Sequence, residues 1–498
     1  MTVTHGVNVY AGPTKGQPPI KVDSELTAMV GFFPVDKATS PTKGKPKTWT
    51  EVVSWEAFKA SYGFTEFWGT GQLERAAFPT PKSAQTLLQT FGVRPVLIYN
   101  VFDPAIHVTS IANEHVPAFA PGAGQTQELV ETPILIDTVV ITNTAGAVTY
   151  VEGTDYSLKR SVSTGKIEIT RIATGAIGAA ETVDADYDYC DGTKVTTAHL
   201  TTAIDGVNNI MSVLGAGKLP GWVTCPYYSQ KIPSGVTVAP ADIRAALLAI
   251  AKDLNTVYKT RFVYDVDETQ YNVTVAAGSP DLTKVWGNVD VRSEYGRVFF
   301  GEGSIPGHTE QLLSDWFLGL QAAEVAANGF PGVSPSNRNL ENYTPANKLS
   351  FPVASNTINE HGIITVSRNQ ADLGWNLWGT KTSYYNGTAT DLKKDSTNQN
   401  DLIVYLIQLI TKDIWVKNTD RNFNKILASD IVDKWNAFGA QQVSKGKLLG
   451  WELVFDPDDN PDLSQYVKFR LFILGPEPMG QTDVEIQVDL NYFETVFG

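Results

Sequence analysis

The hydrophobic pattern of this chain changes texture more than once, and the changes mark out its parts. Residues 26–33 form a short apolar run closed by Pro34, the length and flanks of a buried strand. Trp55, Phe58 and Tyr62 then fall at helical spacing before Gly63. A second helix is expected from Pro81, with Ala84, Leu87, Leu88 and Phe91 on one face and Gly92 capping its end. The continuous apolar run 95–101 suits a strand covered on both faces.

From about Pro104 to Asp191 helical spacing disappears. Thr, Val, Ile, Gly and Ala dominate, and alternation at 138–142, 148–152, 166–171 and 182–189 is broken by Gly- and Asp-bearing turns, which predicts a small all-β unit. Helical spacing resumes afterwards. The β unit, 105–191, is therefore expected as an insertion into a discontinuous α/β scaffold made of 25–104 and 192–345. Leu200, Ile204, Val207 and Met211 predict a helix over 198–214, followed by a short buried strand at 222–226. Pro240 opens the next helix, with Asp242 as its N-cap and Ile243, Leu247, Ile250, Leu254 and Val257 along its apolar face. A strand at 261–266 follows, and strand, helix, strand in that order predicts a parallel pair. A helix over 310–328, with Thr309 as N-cap and Gly329 as its stop, closes the scaffold.

The stretch 346–480 reads as a C-terminal α+β domain, with helices over 401–417 and about 423–438 and paired strands over 447–456 and 466–474. The first helix is apolar nearly all round, so it is a core helix or one buried at a contact. Two more strands lie at the ends of the chain. Val484, Ile486, Val488, Leu490 and Tyr492 alternate with polar residues after a spacer containing Gly475, Pro476, Pro478 and Gly480; Val3, Val7 and Val9 form a smaller counterpart before the Gly- and Pro-rich stretch 12–19. The segments 1–24 and 481–498 are either extended arms that add strands to a neighbouring subunit's sheet or strands that close the chain's own sheet. The fold class is thus α/β and α+β multidomain, with an inserted all-β domain.

Composition narrows the function. At 498 residues the chain exceeds one hydrophobic core, and 42 % apolar against 18 % charged residues describes a folded, loop-rich protein. No apolar run reaches the roughly 20 residues that span a bilayer, and the first residues lack the pattern of a signal peptide, so no stable membrane insertion is expected. A net charge of −14 opposes binding to nucleic acid or anionic membranes. Cys190 and Cys225 allow a disulfide by parity, while two free thiols fit a chain made in a reducing cytoplasm.

Candidate chemistry is sparse. The six histidines show no metal-binding spacing, and no Gly-x-Ser-x-Gly elbow occurs. The glycine-rich loops 215–221 and 301–307 carry proline where a dinucleotide fingerprint needs its third glycine. The acidic stretches 184–188 and 456–462 lack the spacing of a calcium loop. Lys417, Arg421, Lys425 and Lys434 lie along the two late helices with Asp413, Asp420, Asp430 and Asp433 interleaved, a mixed-charge face. No catalytic residue, metal site or cofactor is expected; an enzyme built on 192–330 is the reading this disfavours.

Several short stretches carry a family resemblance by their shared order. They are His5-Gly6-Val7, Pro18-Pro19-Ile20 and Met29-Val30-Gly31; then 151–157 (Val-Glu-Gly-Thr-Asp-Tyr-Ser) with Gly165-Lys166-Ile167; then Gly329-Phe330 and Ser334-Pro335-Ser336-Asn337. After them come 359–365 (Asn-Glu-His-Gly-Ile-Ile-Thr), 378–382 (Trp-Gly-Thr-Lys-Thr), Arg421-Asn422-Phe423 and the terminal strand. In these the chain resembles the tail sheath proteins of contractile-tailed bacteriophages and related contractile injection particles. The resemblance implies a structural subunit of the virion tail, assembled in the host cytoplasm, that polymerises helically around an inner tube and contracts to drive it through a bacterial envelope. It implies as partners other copies of the chain, the inner tail tube protein, and baseplate and tail terminator proteins. It also implies a C-terminal domain next to the tube, for which Lys417, Arg421, Lys425 and Lys434 are the candidate facing residues, and terminal arms threaded into neighbouring subunits. Another virion protein, such as a baseplate or adhesin subunit, is the alternative.

Overall fold

A computed structural model describes residues 23–36, 38–39, 46–64, 78–119, 125–161, 164–215, 217–230, 235–267, 282–287, 289–306, 308–346, 353–368, 374–388, 391–418, 425–456 and 467–478. The run 26–33 supplies β1 (Thr27–Gly31), and every one of its residues is buried. Alternation explains why it is apolar throughout. Ala28 and Val30 join one core, with Leu97, Val223 and Phe262, while Met29 joins the other, with Val96, Ile98 and Val263.

β1 lies inside an eight-stranded sheet. Beyond β2 (Trp49–Val52) and β3 (Val96–Asn100), the sheet takes β10 (Trp222–Thr224), β11 (Arg261–Asp265), β12 (Gly296–Phe299), β16 (Ile363–Arg368) and β17 (Trp375–Trp378). The order is β17-β16-β12-β11-β10-β1-β3-β2; β3 through β16 are parallel, and only the two edge strands run antiparallel. One face is covered by α3 (Thr197–Asp205) and α5 (Pro240–Lys252), the other by α1 (Trp55–Tyr62), α2 (Thr80–Gln85) and α7 (Leu313–Asn328). Helices on both faces are what an all-parallel centre requires. α2 crosses β1 so closely that a Cβ on Gly31 would lie 2.3 Å from Cγ2 of Thr80.

The β unit is an insertion between β3 and α3. Its strands are β4 (Val108–Val116), β5 (Thr126–Glu128), β6 (Val140–Asn143), β7 (Tyr156–Arg160), β8 (Ile167–Arg171) and β9 (Val183–Cys190), in two antiparallel three-stranded sheets, β4-β9-β6 and β5-β8-β7. The alternating residues Ile167, Ile169, Val183, Ala185 and Tyr187 fill the core between them. Its two ends are tied together by Asp191 N–H donating to His107 O at 2.8 Å and Thr109 Oγ1 to Asp191 Oδ2 at 2.7 Å.

Several expectations are corrected. The stretch 148–152 makes only isolated bridges, Thr142 to Thr149 and Glu152 to Tyr156, and is not a strand; Val148 and Val151 are exposed. Asp242 is not the N-cap of α5, because Pro240 already occupies the first turn and Ala239 precedes it. That helix stops at Lys252, leaving Val257 exposed. Thr309 lies in β14 (His308–Gln311), and α7 starts only after Leu312; Gly329, at φ 70°, ends it as expected. Finally, β16 and β17 extend the scaffold sheet past residue 345, because β16 completes the parallel run beside β12. Cys190 and Cys225 are both buried free thiols.

The C-terminal unit consists of α9 (Leu392–Asp395), α10 (Thr397–Asn418) and α11 (Lys425–Ser444), with the antiparallel pair β18 (Gly450–Val454) and β19 (Arg470–Leu474).

Candidate assembly surface

Alternation along β18 and β19 gives the hairpin two unlike faces. Trp451, Leu453, Leu471 and Ile473 turn inward onto Leu402, Leu406, Leu409, Ile431, Trp435 and Phe438 of α10 and α11. Opposite them, Phe472 and Leu474 stand 56 % and 45 % exposed, in register with Glu452 and Gly450. Among the described residues this sheet has two strands, and a two-stranded sheet is marginal without further pairing or packing.

Its two edges differ. On β18, the Asn436 side chain from α11 accepts from Leu453 N–H at 2.7 Å and donates to Leu453 O at 3.0 Å, so both main-chain groups are spent. β19 pairs with β18 and with no other strand among the described residues. After β19 a second amide grips the backbone: Gln399 Nε2 donates to Gly475 O at 2.8 Å and its Oε1 accepts from Gly475 N–H at 3.2 Å. Ser396 Oγ then donates to both carboxylate oxygens of Glu477, at 2.9 and 2.8 Å. The direction in which the chain leaves the hairpin is therefore fixed by α10.

α10 is itself anchored in the scaffold. Asp401 Oδ1 lies 2.9 Å from Arg261 Nη1 and 2.6 Å from Arg297 Nη2, with all three side chains withdrawn from solvent. Two cations around one carboxylate are tolerable in so dry a place because further partners share them. Arg297 Nη2 also donates to Asn400 Oδ1 at 3.1 Å, and the Arg261 guanidinium lies 3.9 Å over the Trp222 ring. Glu25, 3.5 Å from Arg261, has its pKa pushed up to about 7 by burial, which the arginine only partly offsets. Two turns along α10, Gln408 Nε2 donates to Pro220 O and Lys259 O at 2.9 and 2.7 Å.

A second buried acidic pair sits at the C-terminal end of the parallel strands. Asp265 accepts from Ser314 N–H at 3.1 Å and Asp315 from Ser83 Oγ at 2.5 Å. Burial raises their pKa values to about 7 and about 8, and Asp265 adds to the rise at Asp315. Among the described residues, no group of three or more His, Cys, Asp or Glu could hold a metal, and no helix is long and apolar enough to cross a membrane.

The residues singled out from sequence divide in two. Val3, Val7, Val9, Val484, Ile486, Val488, Leu490, Tyr492 and Arg421 lie outside the described residues. Lys417 falls at the end of α10 and Lys425 at the start of α11. Lys434 ion-pairs with buried Asp413 on the adjoining helix, with its own side chain 16 % exposed. Asp401, Gln408, Asn436 and Gln399 were not anticipated. For the first two a signal exists: they are polar residues seven apart within an apolar helix, on one face.

The fold defines a class. It is the fold of contractile sheath subunits: the contracted sheath complex of the PVC extracellular contractile injection system superposes with a TM-score of 0.55 at 9 % identity, over 99 % of this chain and 100 % of that one. The contracted helical sheath of the anti-feeding prophage gives 0.53 at 12 % identity, over 98 % and 100 %. In sequence, the chain is similar to the tail sheath protein of Burkholderia phage BcepMu, 25 % identical across 99 % of this chain and 98 % of that protein. The family resemblance read from the sequence is borne out by this similarity to a phage tail sheath protein. No protein-family model matches it.

Proposed function

We propose that the chain is the structural, non-enzymatic subunit of a contractile tail sheath, polymerising helically around an inner tube and contracting to drive that tube through a bacterial envelope. Its place is the virion tail, and its partners are other copies of itself, the tube protein, and baseplate and tail terminator proteins. The observation that carries this reading is the unfinished hairpin β18–β19 in a chain alike from end to end to a tail sheath protein. On the β18 edge Asn436 already occupies the main-chain groups of Leu453, which favours a strand donated by a neighbour adding beside β19. The alternating segments 3–9 and 484–492 supply such strands, and their Gly/Pro spacers let subunits move while the pairing persists. Lys417, Arg421 and Lys425 remain the candidate tube-facing charges, whereas Lys434 has its charge met by Asp413.

Removing 481–498 tests the reading. The expected product is a soluble, folded monomer that forms no tubes in negative-stain electron microscopy under conditions where the full chain forms hollow, striated ones. Aggregated, unfolded protein would instead mean that the tail completes its own subunit's core.

A further inference from the structure

A basic, aromatic patch lies beside the point where the C-terminal segment leaves the fold. The loop before α9 is stitched to the junction of α9 and α10 by Thr382 N–H donating to Asp395 O at 2.9 Å, by Thr397 N–H to Thr380 O at 3.0 Å, and by a bridge between Lys381 and Ser396. This brings Lys394 Nζ 5.2 Å over the Tyr384 ring and Lys381 Nζ 5.2 Å over the Tyr385 ring. Leu392 and Tyr384 are 47 % and 36 % exposed there, and Lys393 is exposed as well. None of the three lysines has a carboxylate partner among the described residues. The nearby acids are engaged otherwise: Asp391 accepts from Lys393 N–H, Asp395 from Asp391 N–H, and Glu477 from Ser396. Three ammonium groups without a direct carboxylate partner among the described residues thus stand beside an exposed apolar and aromatic surface.

The segment that starts here has the opposite character. Residues 479–498 contain Asp483, Glu485, Asp489 and Glu494, no Lys or Arg, and the apolar Val484, Ile486, Val488 and Leu490. Glu477 is held against Ser396, at the junction of α9 and α10. Asp483 follows six residues later, a reach of about 20 Å for extended chain.

We infer that Lys381, Tyr384, Tyr385, Leu392, Lys393 and Lys394 form a seat for the C-terminal segment of the same chain, holding it on its own subunit until it is donated to a neighbour. The donation rests on the assembly reading above; the seat does not. Acidic side chains of the segment meet the lysines, and its apolar ones cover Leu392 and Tyr384. Held in cis, the segment is withheld from β19 of other copies, so the seat opposes premature polymerisation.

The test is zero-length carbodiimide coupling of lysine to carboxylate in the full chain, using a mixture of ¹⁴N- and ¹⁵N-labelled protein at low concentration and mapping the linked peptides by mass spectrometry. Expected are links from Lys393 and Lys394 to Asp483 or Glu485 in same-isotope pairs, with a yield unchanged by dilution. High salt, or Lys381→Glu, which leaves the linking lysines in place, lowers that yield about fivefold. Mixed-isotope pairs would assign the seat to a second copy's segment and overturn the proposal, as would carboxylates of 483–494 coupling evenly to lysines over the whole surface. For the consequence, K393E/K394E is expected to polymerise at about fivefold lower concentration than the parent. Equal thresholds would refute the restraint. If neither protein polymerises even with tube and baseplate present, it is the assembly reading that fails, and the cross-links still decide the seat.

Discussion

The scaffold sheet and the C-terminal hairpin solve the same problem in opposite ways. β1 is covered on both faces, and its two cores draw on helices from either side. The scaffold's buried Arg261 and Arg297 are matched by Asp401 of α10. β18 and β19 are covered on one face only, leave Phe472 and Leu474 exposed on the other, and have Leu453 on one edge bonded to Asn436. Stability therefore resides where the sheet is covered on both faces. The proposed capacity for assembly belongs to the incomplete sheet, and α10 joins the two, packing on the hairpin while Asp401 and Gln408 bond the scaffold.

The strongest way to break this comparison is to cut that joint. Asp401→Ala leaves two guanidinium groups buried without their shared carboxylate, which costs about 3–5 kcal/mol. Glu25 offsets part of this, because losing the Asp401 charge eases its own ionisation beside Arg261. Denaturant unfolding followed by circular dichroism should show the loss in the whole cooperative transition. A loss under 1 kcal/mol would mean that α10 is a passenger on the scaffold.

Titration acts on the scaffold next most strongly. Asp265 and Asp315 have folded-state pKa values raised to about 7 and about 8 by burial, so the folded protein holds protons that the unfolded chain releases. Their contribution is complete at low pH and is lost as pH rises through 7 and 8. His107 works in the other direction: burial lowers its pKa to about 4, so its contribution is present above pH 6.5 and lost as pH falls through 4. Between pH 6.5 and 9 the carboxylates act alone, and stability should fall by about 3 kcal/mol, with Glu25 adding to the slope. Asp315→Asn should flatten the profile measured by urea unfolding at each pH. An unchanged slope would remove the pair from the account.

How much of this the sequence disclosed follows from what kind of interaction each feature depends on. The strands at 96–100 and 261–265 were legible because burial on both faces leaves a continuous apolar stretch at their centres, 96–99 and 262–264, a purely local signal. Thr309 and Asp242 were misread as N-caps because a polar residue before an apolar stretch looks alike whether it sits in a strand or inside a first turn. The scaffold's extension past 345 was hidden because pairing of β16 with β12 bridges more than sixty residues. The same holds for the candidate surface: nothing near Lys434 announces Asp413 twenty-one residues earlier, and nothing near Asn436 announces Leu453 seventeen residues later.

The smallest effect on stability should have the largest consequence for assembly. A Cβ on Gly439 of α11 would lie 1.9 Å from Cγ of Trp451, so the indole rests directly on the helix backbone. Gly439→Ala cannot be accommodated without moving β18 away from α11, since the atoms in the way belong to a packed ring. The expected cost is roughly 1–3 kcal/mol, well below that of Asp401→Ala, because the scaffold's two cores are untouched. Yet the displacement pulls Leu453 from Asn436, freeing its main-chain groups on the β18 edge and shifting the β19 edge proposed to receive a donated strand. Folded monomer by circular dichroism, with tubes absent or irregular in electron microscopy, would tie assembly to this small contact. Regular tubes from the variant would mean that a donated strand re-forms the hairpin as it binds, and that the incomplete sheet is finished by its neighbour rather than prepared for it.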